Sequence, residues 1–407
     1  MARIVMKFGG TSVANVDLIV NASKLIKKEW DNGNDVAVVV SAMGDSTDKL
    51  VNLINQVSDS NQNLAEYDSI VSSGEQVSSG LLALQLNKLK IPARSWLGWQ
   101  LPILTTGKHS MAKIHKVFVD KIIDGFKKRE IAIIAGFQGI LKNLRISTIG
   151  RGGSDTSAVY IASALNADRC DIYTDVEGVF TADPDTSAKV KKLDKVAYEE
   201  MIEMSSQGAS VLQTTSVVAA MNENVNLNVL SAFDSMPGTQ LVHEDDLPER
   251  KTVTGVAYSI NEAKITLIKV EDRPGVASKI FHCLAEAGIN VDMIVQNISE
   301  QDKKTDITFT INKEELSNSL TALKELKKEL NYEKIVNDPE VGKISVIGFG
   351  MIDHVGVAQL MFETLSKKDI NIQVISTSEI KISVLVARKQ TIPGVRALHD
   401  AFGLDNI

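Results

Sequence analysis

The chain has 407 residues, and its 51 acidic residues outnumber its 44 basic residues to give a formal net charge of −7. This length exceeds what one hydrophobic core ordinarily holds, so we expect two or three domains. The acidic balance argues against nucleic acid or a membrane surface as a partner, and no apolar run approaches the roughly 18 residues of a membrane span. With no secretory signal visible, we expect a cytoplasmic protein.

Short apolar runs alternate with helical patterns over roughly the first 240 residues. Buried strands are predicted at residues 4–8, 36–40, 131–137 and 171–173. After the first strand, residues 13–30 carry apolar side chains at helical spacing, and Asn32-Gly33 is typical of a helix C-cap. The alternation predicts an α/β fold with an open, mostly parallel sheet between helical layers. Ligands of such sheets bind at the carboxyl ends of the strands.

A glycine-bearing segment, Lys7 to Val13, follows the first predicted strand. Gly9 and Gly10 place backbone amides where a strand turns into a helix, and such amides can bind a phosphate with help from the helix dipole. A tight turn beside a surface lysine explains the same residues, so this segment alone is weakly diagnostic.

A second glycine loop, Gly150 to Ala158, precedes another helical pattern, and an acidic segment from Thr174 to Pro184 follows the next strand. Both loops, together with Ser41 after the second strand, fall at the carboxyl ends of predicted parallel strands. We therefore expect them to share one site. Two anion-binding loops beside an acidic strand end predict phosphoryl transfer.

A domain boundary is predicted near Met236-Pro237-Gly238 and the acidic residues 243–250. Beyond it the chain repeats itself, because residues 264–292 resemble residues 343–373. Each copy reads as strand, turn, helix, turn and strand, which is half of a βαββαβ unit. Such paired units are typical of a regulatory module.

The chain resembles the monofunctional aspartate kinases over nearly its whole length. Those enzymes have an amino-acid-kinase domain followed by two ACT domains. The resemblance is carried by Lys7 to Val13, Ser41 to Gly44, Ser73 to Val77, Ala135 to Gly139, Gly150 to Ala158, Thr174 to Pro184, Asp272 to Gly275, Asn290 to Asn297 and Ile375 to Ser383. Several of these motifs are long, so together they are far more specific than one glycine loop.

The resemblance implies a three-layer αβα amino-acid-kinase domain of the carbamate-kinase-like type at residues 1–245, with a mostly parallel sheet. Two ferredoxin-like βαββαβ ACT domains follow, at residues 264–338 and 339–407. A strand from about residues 251–262 is implied to join the second ACT domain, so that the two are interleaved. A homodimer or higher oligomer through the ACT domains is also implied.

The family reaction converts ATP and L-aspartate into ADP and 4-phospho-L-aspartate, the first step toward lysine (through diaminopimelate), threonine, methionine and isoleucine. The resemblance thus implies a phosphotransferase with a carboxyl group as acceptor, and ATP and Mg²⁺ as cofactors. An aspartate side chain, with a reference pKa of about 3.9, is ionised near neutral pH and needs no general base. The protein must then position two anions and neutralise their charge.

Position by position, the resemblance assigns catalytic roles to Lys7, Arg151 and Asp155. Lys7 would bind the transferring phosphoryl group, and Arg151 would bind the substrate α-carboxylate. Asp155 and Glu75 would hold the substrate ammonium, and Thr47 would contact the side-chain carboxylate. The plain alternatives are a surface ion pair or cap for Arg151 and Asp155, a solvated helix residue for Glu75, and a helix N-cap for Thr47.

Other contacts are implied along the same motifs. Substrate contacts are implied at Gly152, Gly153 and Ser154, and nucleotide contacts at Lys7, Phe8, Gly9, Gly10, Ser41, Thr174, Asp175, Phe180 and Asp183. We expect Mg²⁺ to be held by phosphates and water, with no metal site made by the protein alone.

The family binds amino-acid effectors, usually lysine and threonine, where ACT units pair. The matching positions are Asp272, Asn290, Val291, Asp292 and Gln296 for one site, and Asn371, Ile372, Thr377 and Ser378 for the other. Ordinary turn and cap residues explain the same positions. Val355 stands where the family often has a proline, so the second site is expected to be looser.

Three positions, Asp185, Ser210 and Thr215, lack a cation that the family carries near the nucleotide. If two such cations contacted phosphates, their loss would weaken nucleotide binding by several kcal/mol, at roughly 1.5–3 kcal/mol per charge-assisted hydrogen bond. A catalytically silent amino-acid sensor is therefore one alternative, and a kinase of another small acid such as glutamate is a second. The complete charged set assigned to the substrate favours the aspartate kinase.

Overall fold

The computed structural model describes residues 1–58, 62–207, 211–247, 251–299 and 304–406. The chain forms two compact units. The first comprises Met1–Val179, Lys192–Ser206 and Ser210–Pro248, and the second comprises Phe180–Lys191, Gln207–Ala209 and Glu249–Ile407. None of the helices in these described ranges is both long and apolar enough to cross a lipid bilayer.

Strands and helices alternate through the first unit. In chain order they are β1 (Arg3–Phe8), α1 (Val16–Asp31), β2 (Asp35–Val40), α2 (Ser46–Val57), α3 (Leu64–Val71), α4 (Ser73–Lys88), β3 (Ala93–Trp96), β4 (Ile103–Thr106), β5 (Lys113–Val117), α5 (Asp120–Phe126), β6 (Ile131–Ala135), β7 (Gln138–Ile140), β8 (Ile146–Thr148), α6 (Gly153–Leu165), β9 (Arg169–Thr174), β10 (Lys195–Ala197), α7 (Tyr198–Ser206), α8 (Thr214–Asn222), β11 (Leu227–Ser231) and β12 (Thr239–Val242).

Most of these strands form one largely parallel sheet. Over the described residues its order is β10-β12-β11-β9-β1-β2-β6-β3, and each neighbouring pair is parallel except β11 with β12. β1 lies in the middle, with Ile4 opposite Val36 of β2 and Arg169 of β9. A smaller sheet has the order β5-β4-β7-β8. The predicted α/β fold with a mostly parallel sheet is confirmed.

The bounds of α1 follow from its sequence. The Asn15 side chain accepts a hydrogen bond from the Leu18 N–H at 3.0 Å, so the helix begins at Val16 rather than at the predicted Val13. Residues Thr11–Val13, which lie between β1 and α1, form a 3₁₀ turn. At the other end Gly33 has φ +87, a left-handed conformation that glycine adopts at little cost.

Both sequence repeats lie in the second unit. Its elements are β13 (Gly255–Glu271), α9 (Val276–Glu286), β14 (Val291–Ser299), β15 (Lys304–Asn312), α10 (Leu316–Glu325), α11 (Lys327–Leu330), β16 (Lys334–Ile347), α12 (Val357–Lys367), β17 (Val374–Thr377), β18 (Lys381–Ala387) and α13 (Thr391–Ala401). The strands form an antiparallel sheet in the order β14-β15-β13-β16-β18-β17 within the described ranges.

The two repeats share their long strands β13 and β16. Gly255 at the start of β13 lies opposite Ile347, whereas Ile268 near its end lies opposite Lys334. Each strand thus contributes one half to each repeat, and each repeat is completed as βαββαβ. The predicted ferredoxin-like ACT fold is confirmed. Separate apolar cores lie under the two helix pairs, one containing Phe309 and the other Leu398.

Residues 180–191 pack within the second unit. Ala182 lies in the core of the second repeat, and the Thr181 carbonyl accepts a hydrogen bond from the Val256 N–H at 2.8 Å. The hydroxyl of Tyr258 donates to Asp183 Oδ2 at 3.0 Å. Nε2 of the buried His399, on α13, lies 2.9 Å from Thr181 Oγ1.

We expect His399 to make the folded protein less stable in mild acid. Burial lowers the pKa of His399; Lys189 acts in the same direction, and Asp400 and Asp405 oppose it. The unfolded chain, with a histidine pKa of about 6.5, therefore binds the proton more tightly, and stability falls as the pH drops through 6.5. Between pH 7 and pH 5.5, the melting temperature of His399→Gln should therefore rise relative to that of the parent chain at the same pH.

The matched control for this prediction is His282, which is exposed and lies 3.4 Å from Glu286. His282→Gln should leave the pH dependence of the melting temperature as it is in the parent chain. Equal pH dependence of the parent and His399→Gln would show that the buried imidazole does not carry the effect.

Candidate active site

A cleft of about 970 Å³ opens in the first unit where β1, β2 and β6 end. Residues assigned from the sequence that line this cleft are Lys7, Gly10, Ser41, Thr47, Glu75, Arg151, Gly152, Gly153, Ser154 and Asp155. The parallel register brings them together, because it aligns the carboxyl ends of neighbouring strands at one edge of the sheet.

A buried ion pair lies at the cleft. Lys7 near the end of β1 places Nζ 2.5 Å from Oδ1 of Asp155, which stands in the first turn of α6. The two side chains are 9% and 11% exposed, so the attraction between them has to offset a large loss of hydration. A lysine ammonium near a helix N-terminus makes this part of the cleft suited to an anion.

Glu75, in the first turn of α4, faces the same cleft. Its side chain is buried, so the alternative of a solvated helix residue is wrong. Oε1 accepts a hydrogen bond from the Ala42 N–H at 3.2 Å, but buried Oε2 has no hydrogen-bond partner among the described residues. Burial raises the pKa of the carboxyl from 4.5 to about 7, and backbone N–H groups only partly oppose this rise. Such a carboxylate fits a ligand cation.

The loop before α6 carries Arg151 between two glycines in the left-handed conformation, Gly150 with φ +84 and Gly152 with φ +70. A side chain on Gly152 would also meet Gln213, since a Cβ there would lie 2.2 Å from Gln213 Cγ. Arg151 is exposed and lines the cleft. Its guanidinium, with donors in a fork, suits a carboxylate or a phosphate.

Gly136 sets the distance between the end of β6 and the start of α6. A Cβ at this position would lie 2.8 Å from Ser154 Cβ and 3.0 Å from Val39 Cγ1. We expect Gly136→Ala to cost about 1–3 kcal/mol of stability by overpacking. Because it pushes Ser154 and its neighbours out of place, kcat/KM should fall about tenfold or more.

The matched control for Gly136→Ala is Gly80→Ala. Gly80 lies within α4, and beyond its chain neighbours and the backbone of that helix a Cβ there would meet no heavy atom within 4 Å. The melting temperature of Gly80→Ala should equal or exceed that of the parent, because alanine favours a helix over glycine by up to about 1 kcal/mol. Melting curves and kinetics of the two variants, measured together, test this prediction. Equal behaviour of both would contradict it.

Thr47 lies in the first turn of α2 and lines the cleft. The N-cap of this helix is Asp45, so the alternative that Thr47 is the N-cap is wrong. Ser41 follows β2, and its N–H donates to the Phe8 carbonyl at 3.1 Å.

Four predicted nucleotide contacts of the first unit are not among the lining residues: Phe8, Gly9, Thr174 and Asp175. Phe8 is buried and stacks on Tyr173 with 4.8 Å between ring centroids. The Gly9 N–H donates to the Tyr173 carbonyl at 3.1 Å, so it is already used in the fold. The absence of a side chain at Gly9 leaves space beside Lys7 Nζ. Thr174 and Asp175 stand at the end of β9, next to β1 in the sheet.

The other two predicted nucleotide contacts, Phe180 and Asp183, belong to the second unit. Both oxygens of the Asp183 carboxylate are engaged there. Oδ2 accepts from the Tyr258 hydroxyl at 3.0 Å, and Oδ1 accepts from the Asp185 N–H at 2.8 Å. Asp183 therefore shapes its own loop.

The predicted effector residues lie in corresponding parts of the two repeats. Asp272 directly follows β13, while Asn290, Val291, Asp292 and Gln296 lie before and along β14. Asn371 and Ile372 precede β17, and Thr377 and Ser378 lie at its end. The strands β14 and β17 meet in a small apolar cluster that includes Met293 and Val374.

One predicted effector residue already has a cationic partner. Lys343 of β16 pairs with Asp292, and its Nζ lies 3.2 Å from Glu262 Oε1. The Lys343 side chain is buried, whereas Asp292 is about half exposed. Lys343 was not predicted to lie beside the effector residues, because a lone lysine in an apolar strand gives no motif.

Two of the positions that lack a family cation are described. Thr215 lines the cleft, and Asp185 lies in the second unit. Ser210 lies outside the described residues. The cleft is also lined by three residues that were not predicted from the sequence: Tyr67, Ser110 and Gln213. Such residues carry no local motif, and only chain packing brings them here.

A sequence profile of the amino acid kinase family matches residues 2–231, and a profile of the ACT domain matches residues 268–326 and 344–402. The aspartate kinase of Pseudomonas fluorescens (strain SBW25) is 46% identical over 407 residues, which cover 100% of this chain and 98% of that protein. The chain belongs to the aspartate kinase family. The predicted resemblance to aspartate kinases is therefore confirmed.

Solved structures of aspartate kinases share the fold. The aspartate kinase from Synechocystis is 38% identical, with a TM-score of 0.55 over 98% of this chain and 69% of that one. Escherichia coli aspartokinase III, solved in complex with aspartate and ADP, is 23% identical and has a TM-score of 0.81 over 98% of this chain and 99% of that one. The same aspartokinase in complex with lysine and aspartate has a TM-score of 0.75.

Proposed function

We propose that this chain phosphorylates the side-chain carboxylate of L-aspartate with ATP, giving ADP and 4-phospho-L-aspartate. The observation that carries the proposal is the charged set in one cleft of the first unit, where Lys7, Glu75, Arg151 and Asp155 all line the same space. A dicarboxylic amino acid presents two anions and one cation, and this set offers two cations and two anions in return. Membership of the aspartate kinase family supports the same substrate.

Each residue then has one task. Arg151 binds the α-carboxylate in bidentate fashion, and Glu75 with Asp155 holds the ammonium. Thr47 contacts the reacting carboxylate from the first turn of α2. Lys7 binds the transferring phosphoryl group and offsets its charge while the carboxylate approaches. Gly152, Gly153 and Ser154 line the substrate side.

The nucleotide is proposed to lie along Phe8, Gly9, Gly10, Ser41, Thr174 and Asp175 of the first unit. The donor set fits an anion, since Lys7 and the α6 N-terminus both favour negative charge. Among the described residues, no group of three or more His, Cys, Asp or Glu side chains is arranged to hold a metal ion. Independently of that observation, we propose that Mg²⁺ arrives with ATP and is held chiefly by phosphate oxygens and water.

We further propose feedback regulation through the two ACT repeats, with lysine and threonine as effectors at the residues assigned above. The domain division at residues 1–245, 264–338 and 339–407, a homodimer or higher oligomer and a cytoplasmic location belong to the same proposal. An aspartokinase of the same fold has been solved with lysine, which supports lysine as one effector.

The test is acyl phosphate formation with ATP, Mg²⁺ and L-aspartate, trapped as the hydroxamate by hydroxylamine. Glutamate runs in parallel, and lysine and threonine are added singly and together. Aspartate-dependent hydroxamate that Arg151→Lys abolishes is the expected result, because lysine cannot reproduce the bidentate fork. Turnover with glutamate alone would reassign the substrate.

The silent sensor remains the second candidate because Thr215 lines the cleft where the family carries a cation. Folded protein that binds lysine or threonine by calorimetry, yet forms no hydroxamate with either acid, would establish it. Restoring a cation with Thr215→Arg should then raise ATP affinity.

A further inference from the structure

A single buried carboxylate ties together two segments that line the cleft. Asp68, on α3, is fully buried and was not assigned any role from the sequence. Its Oδ1 accepts from Thr148 Oγ1 at 2.7 Å, and its Oδ2 accepts from the Thr148 N–H at 3.0 Å. The Ser110 N–H lies 3.1 Å from both oxygens, and Ser110 Oγ donates to Oδ1 at 3.2 Å.

His109 completes the set of partners. Its Nδ1 lies 2.7 Å from Asp68 Oδ2, and the imidazole is 18% exposed. Since the carboxylate accepts, Nδ1 carries a hydrogen and the ring donates. Among the described residues, the other donors to Asp68 are the backbone N–H and hydroxyl groups of Ser110 and Thr148.

Ser110 has a backbone conformation that needs such support. Its φ is +64, in the left-handed region that residues other than glycine rarely adopt. The Asp68 carboxylate accepts from both its N–H and its hydroxyl. Strained residues persist only where surrounding contacts over-determine them, and they cluster at functional sites.

The two segments also hold each other. The Ala112 N–H donates to the Thr148 carbonyl at 3.0 Å, and a Cβ on Gly150 would lie 3.3 Å from the Ser110 carbonyl oxygen. Thr148 ends β8, three positions before Arg151, and both line the cleft. The root of the glycine loop is therefore anchored to α3 through Asp68.

We infer that Asp68 is a positioning residue, which fixes the Ser110 turn and the root of the Gly150 loop so that Arg151 meets the substrate carboxylate in one orientation. This inference rests on the proposed function for the role of Arg151. The anchoring itself rests only on the contacts of Asp68. A misplacement of about 1 Å at a positioning group can cost roughly a hundredfold in rate.

The first test is Asp68→Asn, with Glu66→Gln on the same helix as the control, since Glu66 is exposed and pairs with Arg145. In Asp68→Asn an amide NH₂ replaces one acceptor, so the Thr148 and Ser110 donors lose partners. We expect KM for aspartate to rise at least tenfold, while KM for ATP changes less than threefold. Glu66→Gln should match the parent chain.

A rescue experiment separates positioning from general damage. Adding Ser110→Gly to Asp68→Asn should recover at least threefold of kcat/KM for aspartate, because glycine adopts φ +64 without the support of the carboxylate. Because glycine at this position also relieves backbone strain, melting temperatures of both variants are measured alongside, and recovery of kcat/KM in fully folded protein is the result that indicates positioning.

Amide hydrogen exchange provides a readout that needs no turnover. In Asp68→Asn, peptides covering residues 107–112 and 146–153 should exchange at least tenfold faster than in the parent and in Glu66→Gln. Parent-like exchange in both peptides with parent-like KM for aspartate would overturn the inference. If the parent forms no acyl phosphate, the proposed function fails, and the exchange result still decides the anchoring role.

Should Asp68→Asn fail to fold, Thr148→Val and His109→Gln replace it. Each removes one hydrogen bond to the carboxylate and leaves the backbone unchanged. We expect both to speed exchange in residues 107–112 and 146–153 and to raise KM for aspartate about threefold. If both variants keep the exchange rates and the KM for aspartate of the parent, the inference is overturned.

Discussion

Lys7→Met should lower kcat by about 10²–10³-fold, the usual effect of removing one preorganised donor from the charge that develops in a transition state. The ammonium near the end of β1 is buried and lies beside Asp155 in the first turn of α6. Steady-state kinetics with saturating ATP and aspartate measure this effect, which should appear mainly in kcat.

Lys7→Met should also destabilise the protein, because it leaves Asp155 buried without its partner 2.5 Å away. Removing one member of a buried pair typically costs about 3–5 kcal/mol. The double variant Lys7→Met with Asp155→Asn should regain much of this stability without regaining activity. That combination separates the folding role of the pair from its chemical role.

The control for Lys7 is Lys27→Met, which breaks a surface pair with Asp31 whose side chains are about half exposed. Its effect on stability should stay below about 0.5 kcal/mol, with kinetics unchanged. A Lys7→Met enzyme with kcat within threefold of the parent would contradict the role of Lys7 as the phosphoryl cation.

Glu75 should make aspartate use pH-dependent near neutrality. The pKa of its carboxyl is raised to about 7 by burial, so the charged form that attracts an ammonium is lost as the pH falls through 7. Because kcat/KM reports groups of the free enzyme, kcat/KM for aspartate should fall about tenfold from pH 8 to pH 6. Glu75→Gln should have a low kcat/KM that is flat over this range.

The Glu75 carboxyl should have opposite effects on activity and on stability: lowering the pH should weaken aspartate use but stabilise the fold. The folded state binds this proton more tightly than the unfolded chain, so the contribution to stability is complete below pH 4.5 and is lost as the pH rises through about 7. The rise in pKa from 4.5 to about 7 corresponds to roughly 3 kcal/mol. At pH 8, Glu75→Gln should therefore melt at a higher temperature than the parent, while it binds aspartate more weakly.

The control for the kinetics of Glu75→Gln is Glu66→Gln, an exposed carboxyl on the preceding helix. It should keep the pH profile of the parent. A parent profile that is flat from pH 8 to pH 6 would show that Glu75 does not titrate in this range. A Glu75→Gln profile equal to the parent would assign the titration to another group.

Much of the fold could be predicted because its signals are local. The apolar run at residues 36–40 and the helical spacing after Val13 each depend on neighbours within a few residues, and the glycine at position 33 marks a helix end by its φ. Gly275 recurs as Gly356 with similar neighbours in the same order, and this recurrence is enough to indicate two similar units. The charged residues of the cleft could be found because they stand in long motifs.

Local patterns in the chain are thus sufficient to specify the fold class, the doubled regulatory unit and the residues that carry charge to the cleft. Which groups pair is a property of the folded chain, because pairing depends on distances between segments far apart in sequence. Asp68 meets Thr148 across 80 positions, and Lys343 meets Asp292 across 51. The rise in the pKa of Glu75 belongs to the same class, since burial is a property of everything packed around a carboxyl and no local pattern encodes it.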